Sequence, residues 1–501
     1  MAIIVREISS SVQKKALLLW ERMPINQIFC IFVASIFLFN QAQWPIVVMK
    51  RDAIDFQREP VATLFRKLLI PTLLGAISIS AVTAIDGIFI GHGVGAAGVA
   101  AVNIFVPIYQ IMSGLGLMIG AGCSVVASIH LSRQNVRVAR LNISQSILFA
   151  TLFALLVCVV VLLFPSQTAR LLGASPTLMS QVIDYTHWIM PSFVFEVWSM
   201  IGLFIIRLDG SPRYAMWCNI LPSALNAVLD WLFIFPLGMG VKGAAIATAI
   251  SISVGGVMAL MYLLFFAKTL RLIPLKISRK SLLLALRNIG YQCRIGSSSL
   301  FGELTLALLI FIGNLVFMEY LGDAGVGAFG IACYYTPFFF MMGNAIAQSA
   351  QPIISYNYGI SRWSQVREAR GLLLGTSLLV GVVVALLFVL IPDKLVALFV
   401  DAESAAGVIA IEGFPYFAAG ILFFILNVAI VGYYQSIEQI RRATLFVFLR
   451  GFVLLLPCFV LLPRMWGVEG IWLAMPMAEA MTTFVIFVLF LADRRAVRHS
   501  A

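Results

Sequence analysis

The sequence predicts an all-α, polytopic membrane protein with twelve transmembrane helices in two pseudo-symmetric six-helix lobes. Three observations lead there. Of the 501 residues, 61% are hydrophobic and 11% charged, and the mean hydropathy is +1.01, more apolar surface than a water-soluble core can use. The apolar residues run in stretches of about twenty or more, enough for a helix to cross a bilayer. The chain also repeats. Residues 86–270 moved forward by 227 positions lay Gly95-Ala96-Ala97-Gly98 on Gly322-Asp323-Ala324-Gly325, Gly116 on Gly343, Pro165 on Pro392, and Gly240-Val241-Lys242-Gly243 on Gly467-Val468-Glu469-Gly470.

Residues 1–61 stand before the repeat. Their apolar run at 28–39 is short for a span. Lys14, Lys15 and Arg22 ahead of it give the outline of a signal peptide. Cleavage there would leave Lys50, Arg51, Arg58, Arg66 and Lys67 outside, against the charge pattern of the rest of the chain. A cytoplasmic or membrane-surface extension is therefore expected, or an over-extended start with Met49 as initiator. The first lobe, residues 62–266, holds spans at 64–91, 97–131, 138–164, 178–206, 212–235 and 241–266. A basic linker, 267–285, leads to the second lobe, 286–492, with spans at 286–318, 325–353, 369–391, 405–434, 438–461 and 465–492. A tail, 493–501, follows. Barrel strands are excluded because the runs are too long and do not alternate.

Lys and Arg mark every second connection: Arg133, Arg137 and Arg140; Arg207 and Arg213; Lys268, Arg271, Lys276, Arg279 and Lys280. The series continues with Arg362, Arg367 and Arg370, then Arg441 and Arg442, then Arg494, Arg495 and Arg498. The alternate connections carry only Arg170, Lys242, Lys394 and Arg464. The plasma (inner) membrane is the expected location, and this asymmetry puts both termini in the cytoplasm. It also accounts for the net charge of +12 without a nucleic-acid partner. The seven cysteines (30, 123, 158, 218, 293, 333 and 458) form no CxxC pair, and His92, His130, His187 and His499 have no ligand spacing. They read as core and surface residues, with no metal or cofactor.

Ionisable groups inside spans are costly and mark function. Asp86 and Asp230 each lie about five residues from the outer ends of spans 1 and 5, and Tyr185 and Thr248 about seven residues from those of spans 4 and 6. At 1.5 Å rise per residue the four occupy one layer roughly 8–11 Å deep. Asn226 shares a helix face with Asp230 at i,i+4, and Ser223 lies on the same stripe. A buried carboxyl takes up a proton more readily than one in water, and a second carboxylate beside it strengthens the effect. Such a pair can hold protons or a small cation. The competing reading is that each acid caps a helix end near the headgroups. The second copy holds Gly313, Val453, Pro457 and Met475 in place of Asp86, Asn226, Asp230 and Thr248, with Glu412 for Tyr185; the polar set belongs to the first half. Glu196, Glu303 and Glu412 could face the cleft between halves and attract a cationic substrate, or pair with a base such as Arg450. Pro71 removes a backbone hydrogen bond from span 1 and is a candidate hinge, or a static kink.

Four segments carry a family resemblance: Val82-Thr83-Ala84-Ile85-Asp86-Gly87-Ile88-Phe89-Ile90-Gly91, Asn226-Ala227-Val228-Leu229-Asp230-Trp231-Leu232-Phe233-Ile234, Gly240-Val241-Lys242-Gly243-Ala244-Ala245-Ile246-Ala247-Thr248 and Gln351-Pro352-Ile353-Ile354-Ser355-Tyr356-Asn357-Tyr358-Gly359. Over about residues 62–492 the chain resembles the multidrug and toxic compound extrusion (MATE) family, in its DinF-like bacterial branch. The resemblance implies two lobes around a V-shaped cleft that opens alternately to either side. It implies export of drugs in exchange for protons or sodium, through a cation-coupling pocket of Asp86, Tyr185, Asn226, Asp230 and Thr248. Glu196, Arg450 and the N-terminal extension depart from the family pattern. The expected partners are small amphipathic, cationic molecules and membrane lipid, with the chain acting as a monomer. An alternative is a flippase for lipids or lipid-linked oligosaccharides, where Arg450 would meet a phosphate head group. A membrane-embedded enzyme is disfavoured, since the spans show no nucleophile–base pair, metal-ligand cluster or phosphate loop. The one-sided pocket disfavours a passive channel.

Overall fold

A computed structural model describes residues 54–276 and 278–499; the apolar run at 28–39 and Met49 lie outside the described residues. Among the described residues ten helices are long and apolar enough to cross a membrane. Two of these, Arg279–Gly359 and Ile440–Leu491, each hold two spans, folded back at Gly322 (φ 62°, ψ −155°) and Gly467 (φ 58°, ψ −131°). A side chain would strain that left-handed backbone, and glycine does not. The same turns stand in the first half at Gly95 (φ 86°) and Gly240 (φ 58°), each 227 residues earlier. The repeat seen as spelling is thus a repeat of turns, and among the described residues the spans number twelve.

In chain order they are α1 (Val61–Gly93), α2 (Ala96–Ser132), α3 (Val136–Leu163), α4 (Met179–Leu208), α5 (Pro212–Ile234) and α6 (Gly240–Phe266). The second set is α7 (279–321), α8 (323–359), α9 (Trp363–Leu390), α10 (Ala405–Ser436), α11 (440–466) and α12 (468–499). A short helix after α3 (Pro165–Leu171) has its counterpart after α9 (Pro392–Ala397), each opened by the proline at its first position. Several boundaries differ from the sequence reading, among them the end of α8 at Gly359 and the start of α9 at Trp363. Arg279 and Lys280 begin α7 instead of ending the linker, and α12 continues to His499 through most of the expected tail.

Each lobe has its own core. Phe105, Ile143, Phe193, Ile201 and Ile205 pack in the first; Phe339, Phe414, Phe417, Phe424 and Trp472 pack in the second. On the periphery the large apolar residues point outward, as Leu156 on α3 (60% exposed), Leu379 on α9 (64%) and Phe484 on α12 (67%) do. In water such faces would aggregate, but against lipid tails they cost nothing. The linker is fastened to the first lobe. Asp209, just beyond α4, accepts hydrogen bonds from the backbone N–H groups of Lys268 (3.3 Å), Thr269 (3.0 Å) and Leu270 (2.9 Å), and from the Tyr262 hydroxyl (2.9 Å). Asp209→Ala would leave these donors unanswered. It should destabilise the protein by about 3 kcal/mol, read as a lower thermal unfolding midpoint in detergent.

Helix α1 belongs to both lobes. Its first turns (Val61, Leu64, Phe65 and Leu68) join the second-lobe core, whereas Ile90 near its end packs with Ile234 and Ala244 of the first lobe. Contact with the second lobe continues past Pro71, through Ala76 and Ser80, whose Oγ lies 3.2 Å from Met341 Sδ, and the helix is continuous through the proline. Immediately beyond, Gly75 lets α1 approach α5: a Cβ there would stand 2.9 Å from Asn219 Nδ2.

The lobes are sealed together toward the basic connections. Ser128 Oγ donates to Pro352 O (3.4 Å), Arg133 Nε to Gly359 O (3.0 Å), Gln351 Nε2 to Ala121 O (3.2 Å) and Asn288 Nδ2 to Gln145 Oε1 (3.1 Å). Gln292 on α7 bonds Asn142 (2.9 Å) and Ser146 on α3. The backbones themselves touch: Gly122 faces the Gln292 carbonyl and Gly296 the Met118 carbonyl, with no room for a Cβ at either. A Gly296→Val substitution should therefore wedge the seal open. A clash of about 2 kcal/mol shifts the equilibrium toward separated lobes by roughly tenfold or more. Maleimide labelling of a Ser128→Cys reporter at the seam should rise accordingly, and unchanged labelling would show that the contact does not control opening.

Candidate functional site

Helices α1, α4, α5 and α6 deliver the polar layer to one place. Asp86 arrives on the second half of α1, held by the α1–α5 approach at Gly75. Asn226 and Asp230 arrive on one face of α5, Thr248 one helix further on, and Tyr185 from the part of α4 that precedes a 3-10 turn at Met190–Ser192. Asp230 is wholly buried, and Tyr185 and Asn226 nearly so. The carboxyl groups of Asp86 and Asp230 neighbour each other, with Tyr185 in their vicinity. Asn226 Nδ2 donates to Thr248 Oγ1 at 3.4 Å. All five residues singled out from the sequence are in one cluster.

The cluster is short of donors. Asp86 Oδ1 and both Asp230 oxygens are buried with no hydrogen-bond partner. Two ionised carboxylates cannot face each other in such a place without a compensating charge. A proton shared between them, or a small cation, supplies what the protein does not. Helix capping does not account for the acids: Asp230 sits one turn before the C-terminus of α5 at Ile234, the negative end of the helix dipole, where a carboxylate is repelled.

In front of the cluster lies a cavity of about 330 Å³, walled at one end by Asp86, Tyr185, Asn226 and Thr248, with Tyr334 reaching in from the second lobe. Asp230 stands behind this wall. A ligand the size of a small drug fits such a volume. Glu196 also lines it; the residue is buried and its Oε1 lacks a partner. Glu303 faces the first lobe from α7, against Gly114 of α2, near Glu196 and Tyr109. Sequence inspection did not single out Tyr109, because an aromatic residue inside a span carries no signal of its own.

Two other expected cleft residues are placed differently. Glu412 is exposed on α10, opposite the face that buries Ala410, Phe414 and Phe417, next to Tyr416, whose hydroxyl donates to Glu469 (3.1 Å). The helical period turns it away from the cavity. Arg450 pairs with none of the three glutamates proposed for it. Its Nε and Nη2 donate to Glu479 Oε1 on α12 (2.9 and 2.7 Å), its guanidinium lies 4.2 Å from the Phe424 ring centroid, and Asn427 Nδ2 donates to Glu479 Oε2 (2.7 Å). Glu479 was legible as an acid inside the last span.

The comparisons with known proteins agree with this architecture. The MatE family model matches residues 71–232 and again 299–460, 228 positions apart and so within one residue of the internal repeat. The multidrug export protein MepA of Staphylococcus aureus is 24% identical over 449 residues, covering 88% of this chain and 96% of that protein. The protein of the same name from Staphylococcus saprophyticus is 23% identical at the same coverage. Among solved structures, an outward-facing multidrug resistance MATE family transporter of the MOP superfamily superposes with a TM-score of 0.81 at 22% identity, covering 89% of this chain and 98% of that one. A MOP superfamily transporter from Pyrococcus furiosus superposes with a TM-score of 0.80 at 21% identity, covering 90% and 99%. At those identities the structures speak for the fold, while the double match of one family model speaks for descent: this chain belongs to the MatE family of membrane transporters.

Proposed function

We propose that the protein is a secondary antiporter that exports amphipathic, cationic drugs or toxic compounds in exchange for protons, or for sodium, by alternating access. The observation that carries this reading is the facing pair Asp86 and Asp230, donor-poor and buried, directly behind a cavity large enough for a drug. With cations bound, the pair is neutral and the cavity has lost its attraction for a cationic compound. With the pair empty, its negative charge favours that compound. Exchange follows, because one site cannot serve both at once.

With the basic connections in the cytoplasm, the sealed end of the lobes is the cytoplasmic one and the cavity faces outward, the state in which substrate leaves and the coupling ion enters. The relatives named as multidrug exporters support the substrate class. Arg450 gives the flippase reading no help, since Glu479 already occupies its guanidinium. The chain works as a monomer in the plasma membrane. One coupled charge crossing 100 mV is worth about 2.3 kcal/mol, a gradient of roughly fifty-fold. Ethidium efflux from vesicles under an imposed pH gradient, and separately a sodium gradient, tests the proposal. Efflux driven by one of them is expected; efflux indifferent to both would overturn it.

A further inference from the structure

Arg207 is a charge that the fold leaves without a carboxylate. It stands at the basic-loop end of α4, 4% exposed. Its Nη1 donates to Gln348 Oε1 on α8 of the other lobe (2.8 Å), its guanidinium lies 5.9 Å from the Phe204 ring centroid, and its Nε is buried with no partner. Among the described residues no acid forms an ion pair with it. The nearest candidate in sequence, Asp209, is engaged by Tyr262 and the linker amides. A guanidinium cannot shed its proton, and a buried, uncompensated charge is among the most unfavourable arrangements a protein can hold. Some counter-charge is required.

The space for it is adjacent. A cavity of about 30 Å³ lies between the lobes. Arg207 stands just outside it, behind the two wall residues it touches, Phe204 and Gln348. Asn344, Ser298, Ser299 and Arg450 contribute to the polar side of a mostly apolar wall. Gln348 accepts from Arg207 through its oxygen, so its amide N–H groups are turned elsewhere. Ser299 and Ser298 accept from Gln435 Nε2 (3.0 and 3.3 Å), leaving their hydroxyl protons to donate. The polar side of the wall therefore offers donors. Gln351 Oε1, an unpartnered acceptor on the same wall, suits a water. Some 30 Å³ holds about two water-sized occupants, which is too little for a phosphate or a carboxylate-bearing molecule.

We propose that this cavity binds one halide ion beside one water, with Arg207 as the counter-charge and the Gln348 amide and Ser298 and Ser299 hydroxyls as donors. Arg207 and Phe204 belong to the first lobe and the other residues to the second, so the site exists only while the lobes are sealed toward the basic connections. By linkage, an ion that binds only the sealed form stabilises it. The anion is a lock on one end of the transport cycle, whichever compound is carried.

The test uses the full-length protein in detergent, with chloride, bromide or gluconate as the anion at constant ionic strength. Relative to gluconate, both halides should raise the thermal midpoint by several degrees and slow maleimide labelling of a Ser128→Cys reporter several-fold. Arg207→Gln should abolish both responses. Should that variant fail to fold, Gln348→Glu decides: its carboxylate replaces the anion, so it should be as stable in gluconate as the wild type is in chloride and indifferent to halide. A halide response equal in wild type and Gln348→Glu would be a general salt effect and would overturn the proposal, as would a wild type that does not distinguish halide from gluconate.

Discussion

Asp230→Asn is expected to remove export altogether while leaving the protein inserted and folded. The substitution is nearly isosteric and the residue is wholly buried, so packing is kept and only the chemistry changes. Asn cannot give up or accept a carboxyl proton and holds a cation weakly. Asp86 would then face an amide instead of a second acid, and the pair would lose the state in which two negative charges demand compensation. Without that demand, coupling-ion binding no longer opposes substrate binding. The roughly fifty-fold gradient that one charge supports at 100 mV should fall to none. Drug tolerance of expressing cells should return to that of cells without the protein, and ethidium efflux from vesicles should become independent of the imposed gradient. Gel-filtration profiles matching the wild type would show that folding is intact. Normal tolerance in cells making Asp230→Asn would remove these acids from the coupling step. Asp86→Asn should do the same more mildly, since Asp86 lies at the cavity wall, within reach of other compensation.

Much of this molecule could be read without coordinates, for a physical reason. Lipid forces each spanning segment to satisfy its backbone internally, so helix limits follow from apolar length, and the Gly95/Gly322 and Gly240/Gly467 turns recur because left-handed backbone selects glycine. The polar layer was legible too: depth along a helix is a simple count, and Asp86, Tyr185, Asp230 and Thr248 share a depth, with Asn226 one turn deeper on Asp230's face of α5. What depth does not give is direction around the helix axis relative to helices distant in sequence. Glu412 lies at a depth suited to a cleft but is rotated away from it. Arg450 was recognised as an intrusion, yet its partner proved to be Glu479, one helix on, and not one of the glutamates nearer the cavity. Arg207, counted with the loop charges by its position, lies buried at the seam because Gln348 of the other lobe covers it. Contacts between lobes are long-range facts that composition and periodicity do not encode.

The Arg450–Glu479 pair yields the largest expected effect on stability. Both partners are about 95% buried, and Asn427, with Thr483 donating to it (2.9 Å), completes the network around them. Glu479→Ala should cost about 3–5 kcal/mol, the penalty of a buried charge stripped of its partner. Little protein should reach the membrane, and what does should melt well below the wild type. Arg450→Met should be milder, because the two charges are not equivalent: a carboxylate left alone can take up a proton, whereas a guanidinium stays charged. Replacing both, with Arg450→Met and Glu479→Leu, should recover most of the loss, since an apolar pair of similar volume suits that core as well as a salt bridge does. The order of thermal midpoints, double variant above Arg450→Met above Glu479→Ala, tests the argument directly. A Glu479→Ala protein as stable as the wild type would mean that water reaches Arg450, and that the second lobe is wetter along α11 and α12 than its packing implies.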